Sequence, residues 1–166
     1  MTLEETLAEV IQSALQYEEP WEPVVGRLGL EAPSLVLAID YEDPFTRRYH
    51  PTWKALREYV HGLNLGLLHV PQARHPRART AALAVLAAGK QGQMWSYQDH
   101  LLEMNSDFSD LALFQMADRL GLDSEQWKAD ILSEALEAEL ATHLAMAAEF
   151  GVEGTPMVFI NGYGVS

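Results

Sequence analysis

The sequence predicts an α/β domain interrupted by a long helical insertion, and three observations carry that prediction. An uninterrupted apolar run, Ser34-Leu35-Val36-Leu37-Ala38-Ile39-Asp40, is followed by a helical pattern and then by a second apolar run, Leu65-Gly66-Leu67-Leu68-His69-Val70. Two buried strands joined through a helix form a βαβ unit, so they run parallel. From Pro76 to Phe150 the chain is helix-forming throughout, and after Gly151 it returns to a strand-and-turn pattern.

Leu3, Leu7, Val10, Ile11, Ala14 and Leu15 recur at helical spacing behind a Thr2-x-x-Glu5 capping box, which predicts a helix over 3–17. Pro20, Pro23 and Pro33, with Gly26 and Gly29, make 20–34 a loop. The run at 34–40 has the pattern of a strand buried on both faces. Asp43 then reads as an N-cap with Pro44 at the first helical position, and Phe45, Tyr49, Trp53, Leu56 and Val60 form an apolar stripe, giving a helix over 44–60. The second strand ends at Pro71. Helices follow near 76–88, 93–104, 110–120, 124–131 and 133–149, with Ser109 and Asp123 as N-caps and Gly89, Gly121 and Gly151 at C-cap positions. Gly154-Thr155-Pro156 leads into a strand at Met157-Val158-Phe159-Ile160, and Asn161-Gly162 turns it into a short hairpin. The resulting division is 1–34 (helix and linker), 35–75 (βαβ), 76–150 (helical insertion) and 151–166 (loop and hairpin).

A chain of 166 residues with 48% hydrophobic content is long and apolar enough for one sizeable core. Its net charge of −13 disfavours nucleic acid and anionic membrane surfaces as partners. Yet Arg47, Arg48, Lys54, Arg57, Arg74, Arg77 and Arg79 all fall in one window, which leaves room for a local positive patch. The start lacks a basic segment followed by an apolar one, and no apolar run approaches the ~18 residues of a membrane span, so the expectation is a soluble cytoplasmic protein. There is no cysteine, which excludes disulfide, thiolate and cysteine–metal chemistry together. The six histidines are scattered without a ligand-pair spacing, so neither a metal nor another cofactor is expected.

Several stretches, in order, resemble the DsbA-like thioredoxin-fold proteins, which insert a helical domain between the two halves of a thioredoxin fold. They are Ala32-Pro33, Asp40-Tyr41-Glu42, His50-Pro51, His75-Pro76-Arg77-Ala78-Arg79, Gln91-Gly92-Gln93-Met94-Trp95, and Gly151-Val152-Glu153-Gly154-Thr155-Pro156 followed by Phe159-Ile160-Asn161-Gly162. The resemblance covers roughly 30–165 and implies that fold, with a cis peptide bond at Thr155-Pro156 beside the active-site turn. It departs from the family in two places. Asp43-Pro44-Phe45-Thr46 stands where the family carries Cys-Pro-x-Cys, and the family's closing helix has no counterpart after Ser166. Helix 3–17 is expected to cover the sheet in that helix's place; a second subunit is the alternative, and would make a homodimer.

The family's enzymes hold a thiolate at the helix N-terminus, where free backbone N–H groups favour negative charge. Asp43 puts a carboxylate there instead. An Asp N-cap contributes about 0.5–2 kcal/mol over alanine, and its stabilised charge makes it a poor general base. Thr46 lacks an evident base or oxyanion hole. No catalytic residue is therefore assigned. The expected function is that of a redox-inactive binding module for a peptide or protein, using Thr155, Pro156, Arg47 and Arg48 around the degenerate turn. Two alternatives stand beside it. One is a cysteine-independent enzyme such as a kappa-like glutathione transferase, and the other is a structural or regulatory subunit recognised through Trp95, Phe108, Phe114 or Trp127 on the insertion.

Overall fold

β1 (Ser34–Ile39) is the first buried run. Its side chains alternate between two cores, Leu35, Leu37 and Ile39 entering the larger and Val36 and Ala38 the smaller, as the two-residue period of a strand requires. β2 (Asn64–His69) lies parallel to it, in register from Ser34 opposite Asn64 to Ile39 opposite His69. On the other side β3 (Met157–Ile160) runs antiparallel, Leu35 facing Ile160 and Ala38 facing Met157. β4 (Tyr163–Val165) completes a four-stranded sheet of order β2-β1-β3-β4. The C-terminal hairpin thus joins a strand pair more than 85 residues earlier in the chain. The computed structural model describes residues 34–59, 64–104, 108–160 and 163–165; the expected helix 3–17, the loop before Ser34, Val60 and the Asn161-Gly162 turn lie outside them.

α1 (Pro44–Tyr59) corrects the expected apolar stripe. The buried residues are Thr46, His50, Trp53 and Leu56, while Phe45 is 64% and Tyr49 38% exposed. The helix is rotated toward its polar side because Thr46 and His50 find hydrogen-bond partners inside, namely the Asp40 amide and the Asp99 carboxylate. Pro51 sits within the helix and cannot donate to the carbonyl one turn back.

The insertion comprises α2 (Ala78–Lys90), α3 (Met94–Glu103), α4 (Asp110–Arg119), α5 (Ser124–Ile131) and α6 (Glu134–Glu149). α2 is its centre. Ala81, Ala82, Ala84, Ala87 and Ala88 are all buried, and their small side chains let neighbouring helices pack around it. Ser109, Asp123 and Ser133 cap α4, α5 and α6 by accepting from Ala112, Gln126 and Leu136 amides. The end of α2 is a second correction. Gly89 is inside the helix, and Gly92, at φ 75°, ends it, with Gln93 N–H donating to Ala88 O and Gly92 N–H to Gly89 O. That left-handed residue with its paired bonds is a Schellman closure, and the same pattern recurs at Gly121 and Gly151.

α6 ties the insertion to the sheet. Leu136 and Leu140 belong to the larger core, and Ala147 belongs to the smaller core on the sheet's other face. The aromatic residues considered as an interface are part of the interior. Phe108 and Trp127 are buried, Trp127 Nε1 donates to Ala84 O at 3.1 Å, and Trp95 and Phe114 pack partly buried on the same core. Among the described residues no helix is long and apolar enough to cross a membrane.

Candidate functional site

The turn between β1 and α1 is closed by its own backbone, Asp43 N–H donating to Asp40 O at 3.1 Å and Arg47 N–H to Asp43 O at 3.2 Å. Asp43 caps α1 as its position predicts, its Oδ1 accepting from Phe45 N–H at 2.9 Å. Its other oxygen accepts a hydrogen bond from Thr155 Oγ1, 112 residues away. Thr155 in turn accepts from Gln72 Nε2 at 2.8 Å, and the Thr155–Pro156 bond that follows is cis. Asp43 is only 2% exposed, and so is Thr46. The two positions flanking Pro44-Phe45 are therefore sealed, while Phe45 projects into solvent.

Behind this clamp lies Asp40, which closes β1 and begins the matched Asp40-Tyr41-Glu42 stretch. Asp40 is 1% exposed, and its Oδ1 accepts from Glu42 N–H at 2.9 Å. Its Oδ2 accepts from Gln72 N–H at 2.8 Å and lies 2.7 Å from His75 Nδ1. A buried carboxylate without such partners would be strongly disfavoured, so these contacts explain how it is tolerated. Together Asp40, Asp43, Gln72, His75 and Thr155 fasten three segments, 40–46, 72–75 and 155–156, to one another. Gln72 carries no single-sequence signal for this role, and Asp40 carries one only through the matched Asp40-Tyr41-Glu42 stretch. His75 carries one only through its proline neighbour in the matched stretch.

The expected positive patch is largely neutralised. Arg57 binds both Asp99 oxygens at 2.6 Å and lies over the Trp95 ring at 4.7 Å; Lys54 meets Glu103 at 2.6 Å, Arg77 meets Asp110, and Arg79 meets Glu137. Burial by itself would raise the Asp99 carboxyl, but the hydrogen bonds and charges of His50 and Arg57 hold it below its ordinary value. Arg47 stacks over Phe108 at 5.6 Å from the ring centre. Arg48 and Arg74 are exposed and have no carboxylate partner among the described residues. A separate cleft of about 300 Å³ between α3 and α4 is lined by His100, Met104, Ala112, Gln115, Met116, Arg119 and Leu120, and includes none of the turn residues. Among the described residues no three His, Cys, Asp or Glu side chains are grouped to hold a metal.

Strand order, helical insertion, capped turn and proline loop together define a thioredoxin-like protein of the kind with a helical domain inserted into the fold. The chain belongs to the DSBA-like thioredoxin domain family, whose model matches residues 39–166. It is similar to the structure of a thioredoxin-like oxidoreductase from Silicibacter pomeroyi DSS-3, with 26% identity, 82% of this chain and 79% of that one covered, and a TM-score of 0.74. BdbD from Bacillus subtilis shares the fold at a TM-score of 0.75 with 18% identity, over 89% of this chain and 87% of its own. Two curated relatives are Na(+)/H(+) antiporters: NhaA 1 of Salinispora arenicola, 31% identical over 134 residues, and NhaA of Herminiimonas arsenicoxydans, 30% identical over 149 residues. The matches cover 80% and 87% of this chain but only 21% and 24% of those proteins, so the chain spans less than a quarter of their length.

Proposed function

We propose that this chain is a redox-inactive DsbA-like domain that binds an extended peptide or protein segment in the groove between the Asp43-Thr46 turn and the Thr155-Pro156 loop. The observation that carries the reading is what occupies the two cysteine positions. Asp43 is buried with both oxygens engaged, Thr46 is buried with its hydroxyl 3.4 Å from the Asp40 amide, and no thiol exists in the chain to exchange a disulfide. What remains exposed is a surface suited to contact rather than chemistry: Pro44 and Phe45 at the head of α1, and Gly154 on the proline loop. The buried Thr46 hydroxyl also speaks against the glutathione-transferase alternative, which needs a hydroxyl free to meet a thiol.

Thiol-oxidation and insulin-reduction assays are expected to match buffer, and cysteine-independent turnover would overturn the redox-inactive part. Immobilised peptide libraries test the other part: binding lost on Phe45→Asp supports the groove, whereas binding indifferent to that change removes it. Calorimetry with glutathione is expected to show no saturable heat. The register is tested by Asp43→Cys with Thr46→Cys. The folded variant should form an intrachain disulfide, and a failure to oxidise would contradict the correspondence.

A second reading draws on the curated similarities, in which a stretch like this chain is a minor part of a longer protein. On it the domain is a structural or regulatory part, with Leu111 (65% exposed) and Leu132 (84% exposed) on the insertion as contact points. Leu132→Asp would then abolish co-purification of a folded partner while leaving peptide binding intact.

A further inference from the structure

We infer that the groove prefers an acidic peptide, one with carboxylate side chains flanking an apolar residue. This rests on the binding reading above and names its ligand class.

The fold leaves some cations without a carboxylate partner and holds others. Lys54, Arg57, Arg77, Arg79, Lys90 and Lys128 each hold a carboxylate of the chain itself. In a protein with 24 acidic and 11 basic side chains, every described lysine and three of the described arginines are held this way. Among the described residues the arginines without a carboxylate partner are Arg47, Arg48, Arg74 and Arg119. Arg74 stands on one of the segments that the Asp40–Asp43–Thr155 network fastens together, and Arg47 and Arg48 directly follow another, on α1.

Arg48 is exposed within two turns of the Asp43 cap. Arg74 is exposed between Gln72, which holds Thr155, and His75, which holds Asp40. Arg47 is steadied by the Phe108 ring rather than by a charge, so its positive charge is not cancelled. The carboxylates nearest in the chain are withdrawn. Asp40 and Asp43 are buried and fully engaged, and Glu42 accepts from the Arg77 amide. Glu153 is the acidic residue that remains exposed on the loop side. Exposed guanidinium groups offer planar paired donors suited to carboxylates, and the exposed Phe45, at the head of the same helix as Arg48, supplies an aromatic surface for the apolar residue.

The experiment uses fluorescence anisotropy with three labelled heptapeptides sharing one central phenylalanine and flanked by Glu, Gln or Lys. The Glu peptide should bind about ten-fold tighter than the Gln peptide, two surface contacts of about three-fold each, with Lys weakest. Raising the salt should compress the series, since contacts at an exposed surface are screened. Arg48→Gln with Arg74→Gln should bring the Glu and Gln peptides within about two-fold of each other. Because neither arginine has a carboxylate partner among the described residues, the variant's thermal midpoint should be unchanged, which separates lost contacts from lost fold.

Arg119→Gln removes an unpaired charge of the same kind from α4 and should leave the series intact. If it erases the preference equally, the effect is diffuse attraction and the inference fails. Equal binding of Glu and Gln peptides overturns the acidic preference while the groove reading stands. Binding of none of the three at millimolar concentration overturns both.

Discussion

Two buried polar regions lie within a few residues of each other at the ends of β1 and β2, and they are built in opposite ways. At the turn, Asp40 and Asp43 are covered, Thr155 is half-buried, and their side-chain oxygens have partners. At His69, fully buried, neither ring nitrogen has a partner among the described residues, and neither does the nearby Tyr41 hydroxyl. The His69 ring stacks on His143 with centres 5.2 Å apart, and its backbone N–H, rather than its ring, donates to His143 Nδ1 at 3.1 Å. Depth alone therefore says little about what a polar group does for the fold. The turn's groups bind three distant segments together, whereas the His69 ring contributes packing and carries a desolvation cost.

The contrast is broken most severely by Asp40→Ala. It strips acceptors from two backbone amides and from His75, and should cost about 3 kcal/mol in urea unfolding. A loss below about 1 kcal/mol would mean that water replaces the carboxylate without difficulty.

Acid should expose the second region. Burial, aided by the charge of His143, pushes His69 well below 6.5, and burial lowers His143 as well. The unfolded chain then binds protons that the folded chain refuses. Stability is accordingly full above about pH 6.5 and falls as the pH drops below it, by up to about 1.4 kcal/mol per pH unit for each histidine. Denaturation curves at pH 7.5 and 5.5 measure this, and a flat response would show that the pair is already reached by water.

The smallest effect sharpens the contrast by its sign. His69→Leu removes ring nitrogens that have no partners, so stability at pH 7.5 should hold or rise by about 1 kcal/mol, and much of the acid sensitivity should disappear. Destabilisation comparable to that of Asp40→Ala would make the two regions alike.

The strands were legible because burial on both faces writes an unbroken apolar run, and the C-cap glycines at 121 and 151 were legible because few other residues tolerate a left-handed backbone. Two local readings failed for the same reason. Hydrophobicity points to the stripe through Phe45 and Tyr49, yet the buried face of α1 is fixed by partners for Thr46 and His50 that lie elsewhere in the chain. The pattern points to Gly89 as the end of α2, but the helix continues through it to Lys90 and closes at Gly92. At the site, Asp43 was recognisable as a cap from Asp-Pro alone. Its contact with Thr155 spans 112 residues and was foreshadowed only by the family resemblance. Asp40 is marked only by the matched Asp40-Tyr41-Glu42 stretch, since a polar residue closing a strand looks the same whether it meets solvent or a buried network.

Asp43 is a clamp between the helix start and the proline loop. A double-mutant cycle on Asp43→Ala and Thr155→Val tests it most directly, because the cap to Phe45 and the bond to Gln72 cancel and only the Asp43–Thr155 term is left. The account predicts a coupling of about 1 kcal/mol or more. Additivity within about 0.5 kcal/mol would contradict it.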